Sequence, residues 1–142
     1  MAIGADVRTY LLTKSAVTSV LGTRIFPNVI PLKNTTWPCV VYGIVSQAPA
    51  HHLTGGAGYA WTRIQLDVYA TGPVSRDALV EILRDELQGF SGTMGSSTVS
   101  AVKYENSLDL YEPPTDSSDV GLYRNTTDYW IRHNQAEPTF AA

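Results

Sequence analysis

The residues best equipped for chemistry in this chain are carboxylates. Glu105, Asp109, Glu112, Asp116 and Asp119 follow one another between Lys103 and Arg124 with no basic residue among them. Clustered carboxylates can hold Mg²⁺ or Ca²⁺, and a bound metal can activate water for hydrolysis. Asp109, Glu112 and Asp119 would be the residues of such a metal-dependent hydrolase or nuclease. The spacing argues against it, because Asp116-Ser117-Ser118-Asp119 lacks the rest of a calcium-loop pattern. A solvated acidic loop around Pro113-Pro114 explains the same residues without a metal. Beside a DNA path its charge would repel phosphate.

Other candidates fail on spacing or context. Gly89-Phe90-Ser91-Gly92-Thr93 departs from the G-x-S-x-G nucleophile pattern at its fifth residue, and it follows a helix rather than a strand. Gly55-Gly56-Ala57-Gly58 has no following lysine and leads into a strand, unlike a phosphate loop at a helix N-terminus. His51 and His52 are adjacent, and His133 lies at the far end of the chain, so no zinc-ligand spacing emerges. The single cysteine, Cys39, excludes an internal disulfide and reads as a small buried apolar residue. The expectation is a protein without catalytic residues, metal or cofactor.

Composition fits a structural domain. The chain has 142 residues, 44% hydrophobic and 16% charged, with a net charge of −3. That balance gives no positive field to attract nucleic acid. No apolar run reaches the ~18 residues of a membrane helix, and the N-terminus lacks the pattern of a secretory signal. A soluble protein of a reducing cytoplasm is expected, folded as a single domain over residues 1–133 with a loose tail at 134–142.

The elements that must position these residues follow from periodicity. Residues 4–21 predict a helix in two pieces, broken at Lys14-Ser15, with Ser15 as a cap and Gly22 as the stop. Three prolines make residues 23–38 an extended connection. Residues 39–46 predict a strand, and 48–58 a flexible loop. Residues 59–70 alternate as a second strand, with Ile64, Leu66 and Val68 on one face and Trp61, Arg63, Gln65, Asp67 and Tyr69 on the other. Ser75 as N-cap opens an amphipathic helix carrying Leu79, Ile82, Leu83, Leu87 and Phe90. Strands at 98–105 and 122–133 complete an α-β-β-α-β-β order. The expected fold class is α+β: a four-stranded, mainly antiparallel sheet with helices packed on one face. Trp61, Tyr69 and Trp130 would lie on the other face, either as partner contacts or as cross-strand pairs.

Several segments, in order, carry a resemblance. They are Gly22-Thr23-Arg24-Ile25-Phe26-Pro27, Pro38-Cys39-Val40-Val41-Tyr42, Arg63-Ile64-Gln65-Leu66-Asp67-Val68-Tyr69-Ala70, Phe90-Ser91-Gly92-Thr93, Asp109-Leu110-Tyr111-Glu112-Pro113 and Gly121-Leu122-Tyr123-Arg124. Together they make residues 5–133 resemble the tail-completion or tail-terminator proteins of long-tailed bacteriophages and related prophage or gene-transfer particles. The resemblance implies a subunit of a ring, usually a hexamer, at the head-proximal end of the tail tube. Such a ring ends tube polymerisation and meets the head connector, while DNA passes through its lumen without sequence-specific binding. A head–tail connector or minor tail subunit of a neighbouring layer is the alternative. The implied location is the virion, with assembly in the host cytoplasm and no membrane. His51, His52, Leu53, Tyr59, Trp61, Asp109, Tyr111, Glu112 and Trp130 are the residues expected at subunit or partner contacts.

Overall fold

The structure is a computed structural model, and it describes residues 3–32, 36–52, 55–114 and 121–135. The N-terminal helical region is in two pieces, α1 (Ile3–Leu12) and α2 (Ser15–Leu21). Ile3, Val7, Tyr10 and Leu11 recur at helical spacing and are the buried stripe of α1. Lys14 takes an extended conformation and is itself the N-cap of α2, so Ser15 is the first residue of the helix rather than its cap. Gly22, at φ +56°, closes α2 by donating its N–H to the Thr18 carbonyl at 2.8 Å.

Strands β1 (Ile25–Pro27), β2 (Cys39–His52), β3 (Gly55–Ala70), β4 (Gly92–Met94), β5 (Ser97–Glu112) and β6 (Leu122–Asn134) form one sheet in the order β1-β2-β3-β6-β5-β4. Helix α3 (Pro73–Leu87) connects β3 to β4. The β1–β2 pair is parallel and the others are antiparallel.

This corrects the expectation of a four-stranded sheet with helices packed on one face: the sheet is mixed, has six strands and curls into a half-barrel that makes up most of the domain. The curl can be read from α1. Arg8 Nε donates to the Ile25 carbonyl of β1 at 2.8 Å, while Asp6, two positions away, accepts from Ser96 and Ser97 beside β4. Six flat strands spaced at about 4.8 Å would hold their edges roughly 24 Å apart, about twice the width of a helix with its side chains. One helix reaches both edges because the sheet bends round it.

Both unforeseen strands, β1 and β4, are three residues long, too short to show alternation. The loop expected over residues 48–58 is instead built largely from the arms of the β2–β3 hairpin. Pro49 falls where β2 has β3 on one side and no described strand on the other, the edge position at which a strand tolerates proline. Helix α3 starts at Pro73 with Gly72 as N-cap; Ser75 lies inside the first turn and donates to the Gly72 carbonyl at 3.0 Å. Leu79, Leu83 and Leu87 of α3 join the core with Ile64, Leu66 and Val68 of β3 and Tyr129 and Ile131 of β6. The Tyr10 hydroxyl donates to the Glu86 carbonyl at 2.7 Å and ties α1 to α3.

Candidate interaction surface

Strand alternation places Tyr59, Trp61, Arg63, Gln65, Asp67 and Tyr69 of β3 opposite to the core. The matching set on β6 is Arg124, Thr126, Asp128, Trp130 and Arg132. Trp61 stands across from Ala48 on β2 and Arg132 on β6; Trp130 stands across from Arg63 on β3 and Lys103 on β5. Ala48, Trp61, Lys103 and Trp130 therefore line an open groove of about 370 Å³.

Arginines order this face. Arg63 donates through Nε and Nη2 to Asp128 Oδ2 at 3.0 and 2.6 Å, with its guanidinium 5.9 Å from the Trp130 ring centre. Arg132 lies 3.9 Å from the Tyr59 ring centre and donates to Ser100 Oγ at 3.0 Å. Arg124 donates to Asp67 at 3.0 Å and Glu112 at 3.3 Å while covering the Tyr69 ring. Rings and charges held this way lose little side-chain freedom on binding. Two buried atoms of the same face, Arg124 Nε and Asp128 Oδ1, have no partner among the described residues.

The carboxylates that could have formed a metal site are separated. Asp109 accepts from Asn125 Nδ2 at 2.6 Å and pairs with Arg76 at 3.5 Å, on the face that α3 covers. Glu112 pairs with Arg124 on the opposite face. An odd spacing along a strand sends side chains to opposite faces, so the two cannot share an ion. Asp116 and Asp119 lie outside the described residues. Among the described residues, no three His, Cys, Asp or Glu side chains gather as metal ligands.

The remaining candidates scatter. His51 and His52 end β2, in register with Gly56 and Gly55, and Leu53 lies outside the described residues. Tyr111 is 52% exposed and packs on Tyr123 at 5.0 Å between ring centres. His133 is buried. Its Nδ1–H donates to the Asn134 carbonyl at 2.8 Å, which leaves Nε2 to accept from Thr62 Oγ1 at 2.7 Å. Thr62 in turn accepts from Gln47 Nε2 at 3.0 Å. Both ring nitrogens are thus committed to holding strands together. Cys39 is fully buried, and burial pushes its thiol up to about 12 against the opposing pull of Arg24.

Sequence reasoning missed Arg63, Arg124 and Arg132 as organisers of the aromatic face. Their alternation with Trp61, Tyr69 and Trp130 was the available signal.

The curled sheet thus presents one outer face on which aromatic rings and paired charges are held in place. The family model for tail completion protein gp17 matches residues 5–133, and the chain belongs to that family of structural phage tail proteins. No curated protein matches the chain. Among solved structures, a chain from the virion of a native gene transfer agent particle superposes with a TM-score of 0.71 at 16% identity, covering 94% of this chain and 95% of the other. At that identity the likeness is one of fold.

Proposed function

We propose that this protein forms a ring, hexameric as in the resemblance above, at the head-proximal end of a phage tail tube. There it ends tube polymerisation and joins the tail to the head connector. The observation that carries the reading is family membership across residues 5–133. The pre-ordered outer face and the separation of Asp109 from Glu112 support a role in contact and not in catalysis. Its partners are further copies of itself, the tail tube protein and the connector protein; DNA crosses the lumen unread, in keeping with a net charge of −3. The protein resides in the virion after assembly in the host cytoplasm. His51, His52, Leu53, Tyr59, Trp61, Asp109, Tyr111, Glu112 and Trp130 are assigned to subunit and partner contacts.

Electron microscopy of particles made without the gene tests this. Headless tails of uncontrolled length are expected. Tails of normal length that fail to join heads would move the protein to a neighbouring connector layer. Normal, joined particles would sink the proposal.

A further inference from the structure

Among the described residues, β2 and β5 are each covered along only part of their outer side, and the two uncovered stretches differ. β1 covers β2 only at residues 40–42, and the Asn28 N–H adds one bond to the Tyr42 carbonyl. β4 covers β5 only at residues 97–99, and the Gly89 N–H takes the Val102 carbonyl. Beyond these points no described strand lies outside β2 from Gly43 or outside β5 from Tyr104. Native proteins blunt free edges with charge. Here residues 43–48 carry none, and residues 106–111 carry only Asp109. Of the eight large apolar side chains exposed among the described residues, five sit on these stretches: Ile44, Val45, Leu108, Leu110 and Tyr111.

The two edges are complementary in shape. On the outer face of β2, Gly43 leaves a gap between Val41 and Val45, a groove of about 180 Å³ that also borders Asn28, Gln65 and Asp67. Among the described residues nothing requires glycine there: a Cβ would meet only Asn28 Oδ1, at an ordinary 3.6 Å. Leu108 and Leu110 stand opposite Thr126 and Arg124, so they project on that same outer face.

We infer that residues 43–48 of β2, with the extra residue of their bulge at Val45, pair antiparallel with residues 106–110 of β5 in the next copy of this chain, setting its Leu110 over Gly43 and its Leu108 over Ser46 on the outer face. The inference rests on the ring reading above and names the contact that closes the ring. Within one copy β2 runs antiparallel to β5, and rotation about a ring axis leaves the sense of each strand along that axis unchanged, so β2 and the next copy's β5 still run in opposite senses along it. A heterologous contact of this kind closes by rotation. Like-with-like pairing of β2 on β2 or β5 on β5 would be a two-fold contact, which joins two copies and does not by itself propagate round a ring.

The register fits closure. Ile44, Ile64, Tyr129 and Tyr104 share one row across the sheet, so the paired segments are offset along the strand axis. An offset of about four residues over four strands, at about 3.3 Å per residue and 4.8 Å per strand, tilts the strands by roughly 35°, at the lower end of the range for closed barrels.

The test uses particles assembled with Gly43→Cys and Leu110→Cys in one chain, treated with a short bis-maleimide. A denaturing gel should show a ladder of covalent multimers that neither single variant produces. Rings visible by microscopy without a ladder would overturn this pairing and leave the ring reading standing. Linking by Gly43→Cys alone would overturn it in favour of a like-with-like contact. Normal particles lacking any ring would overturn both. In parallel, Gly43→Val should fill the gap, keep the isolated chain's melting temperature, and cut incorporation into particles at least tenfold. Unchanged incorporation of a folded Gly43→Val protein would refute the seating of Leu110.

Discussion

Asp6 is 7% exposed, and its carboxylate accepts from the Ser96 N–H and hydroxyl, each at 3.2 Å, and from the Ser97 hydroxyl. Hydrogen bonds to a buried charge contribute about 1.5–3 kcal/mol, so Asp6→Ala should lower stability by about 2–3 kcal/mol in urea denaturation. Gly95 stands against the same carboxylate at φ +54°, and a Cβ there would lie 2.5 Å from Asp6 Oδ1. Gly95→Ala should therefore cost a similar amount. Cys39 makes a second prediction. Its thiol stays protonated in the fold up to about 12, whereas an unfolded chain releases that proton near pH 8.5. The stabilisation is complete below about pH 8.5 and declines above it, as the unfolded state alone loses a proton. Between pH 9 and 10 the wild type should lose about 1 kcal/mol more than Cys39→Ala, and native Cys39 should resist alkylation at pH 8.

At the scale of elements, the two sides of the sheet should respond differently to truncation. Leu87 of α3 is fully buried in the core, so Leu87→Ala should cost 2–5 kcal/mol and reduce folded yield. Trp130 is half-buried on the outer face beside Arg63. Trp130→Ala should cost only about 1 kcal/mol in a thermal melt yet reduce incorporation into particles, and equal effects on both would remove Trp130 from the contact surface. Helix α3 and strand β3 were legible in the sequence because each repeats its pattern over several turns or pleats. β1 and β4 were not, since three residues contain no period. The hairpin arms were hidden by Pro49 and the glycines after it, which read as loop until the edge position of β2 explains them.

For the whole molecule, the uncovered stretches of β2 and β5 should report assembly. The outward-pointing alternate amides of residues 43–48 and 106–111 should exchange rapidly in the isolated chain and at least tenfold more slowly in particles, read by hydrogen exchange and mass spectrometry. Amides at the centre of β3 and β6, paired on both sides within the chain, should be slow in both states.

The sequence by itself determined the alternation of β3, the apolar stripe of α3, the break between α1 and α2, and the failure of each catalytic motif on spacing. These are local properties, carried by neighbours a few residues apart. Tertiary structure alone decided that the sheet has six strands and curls round α1, that Asp109 and Glu112 point to opposite faces, and that, among the described residues, β2 and β5 are covered along only part of their outer sides. Each of those depends on which distant strands pair and in what register, and pairing is set by contacts between residues far apart in the chain.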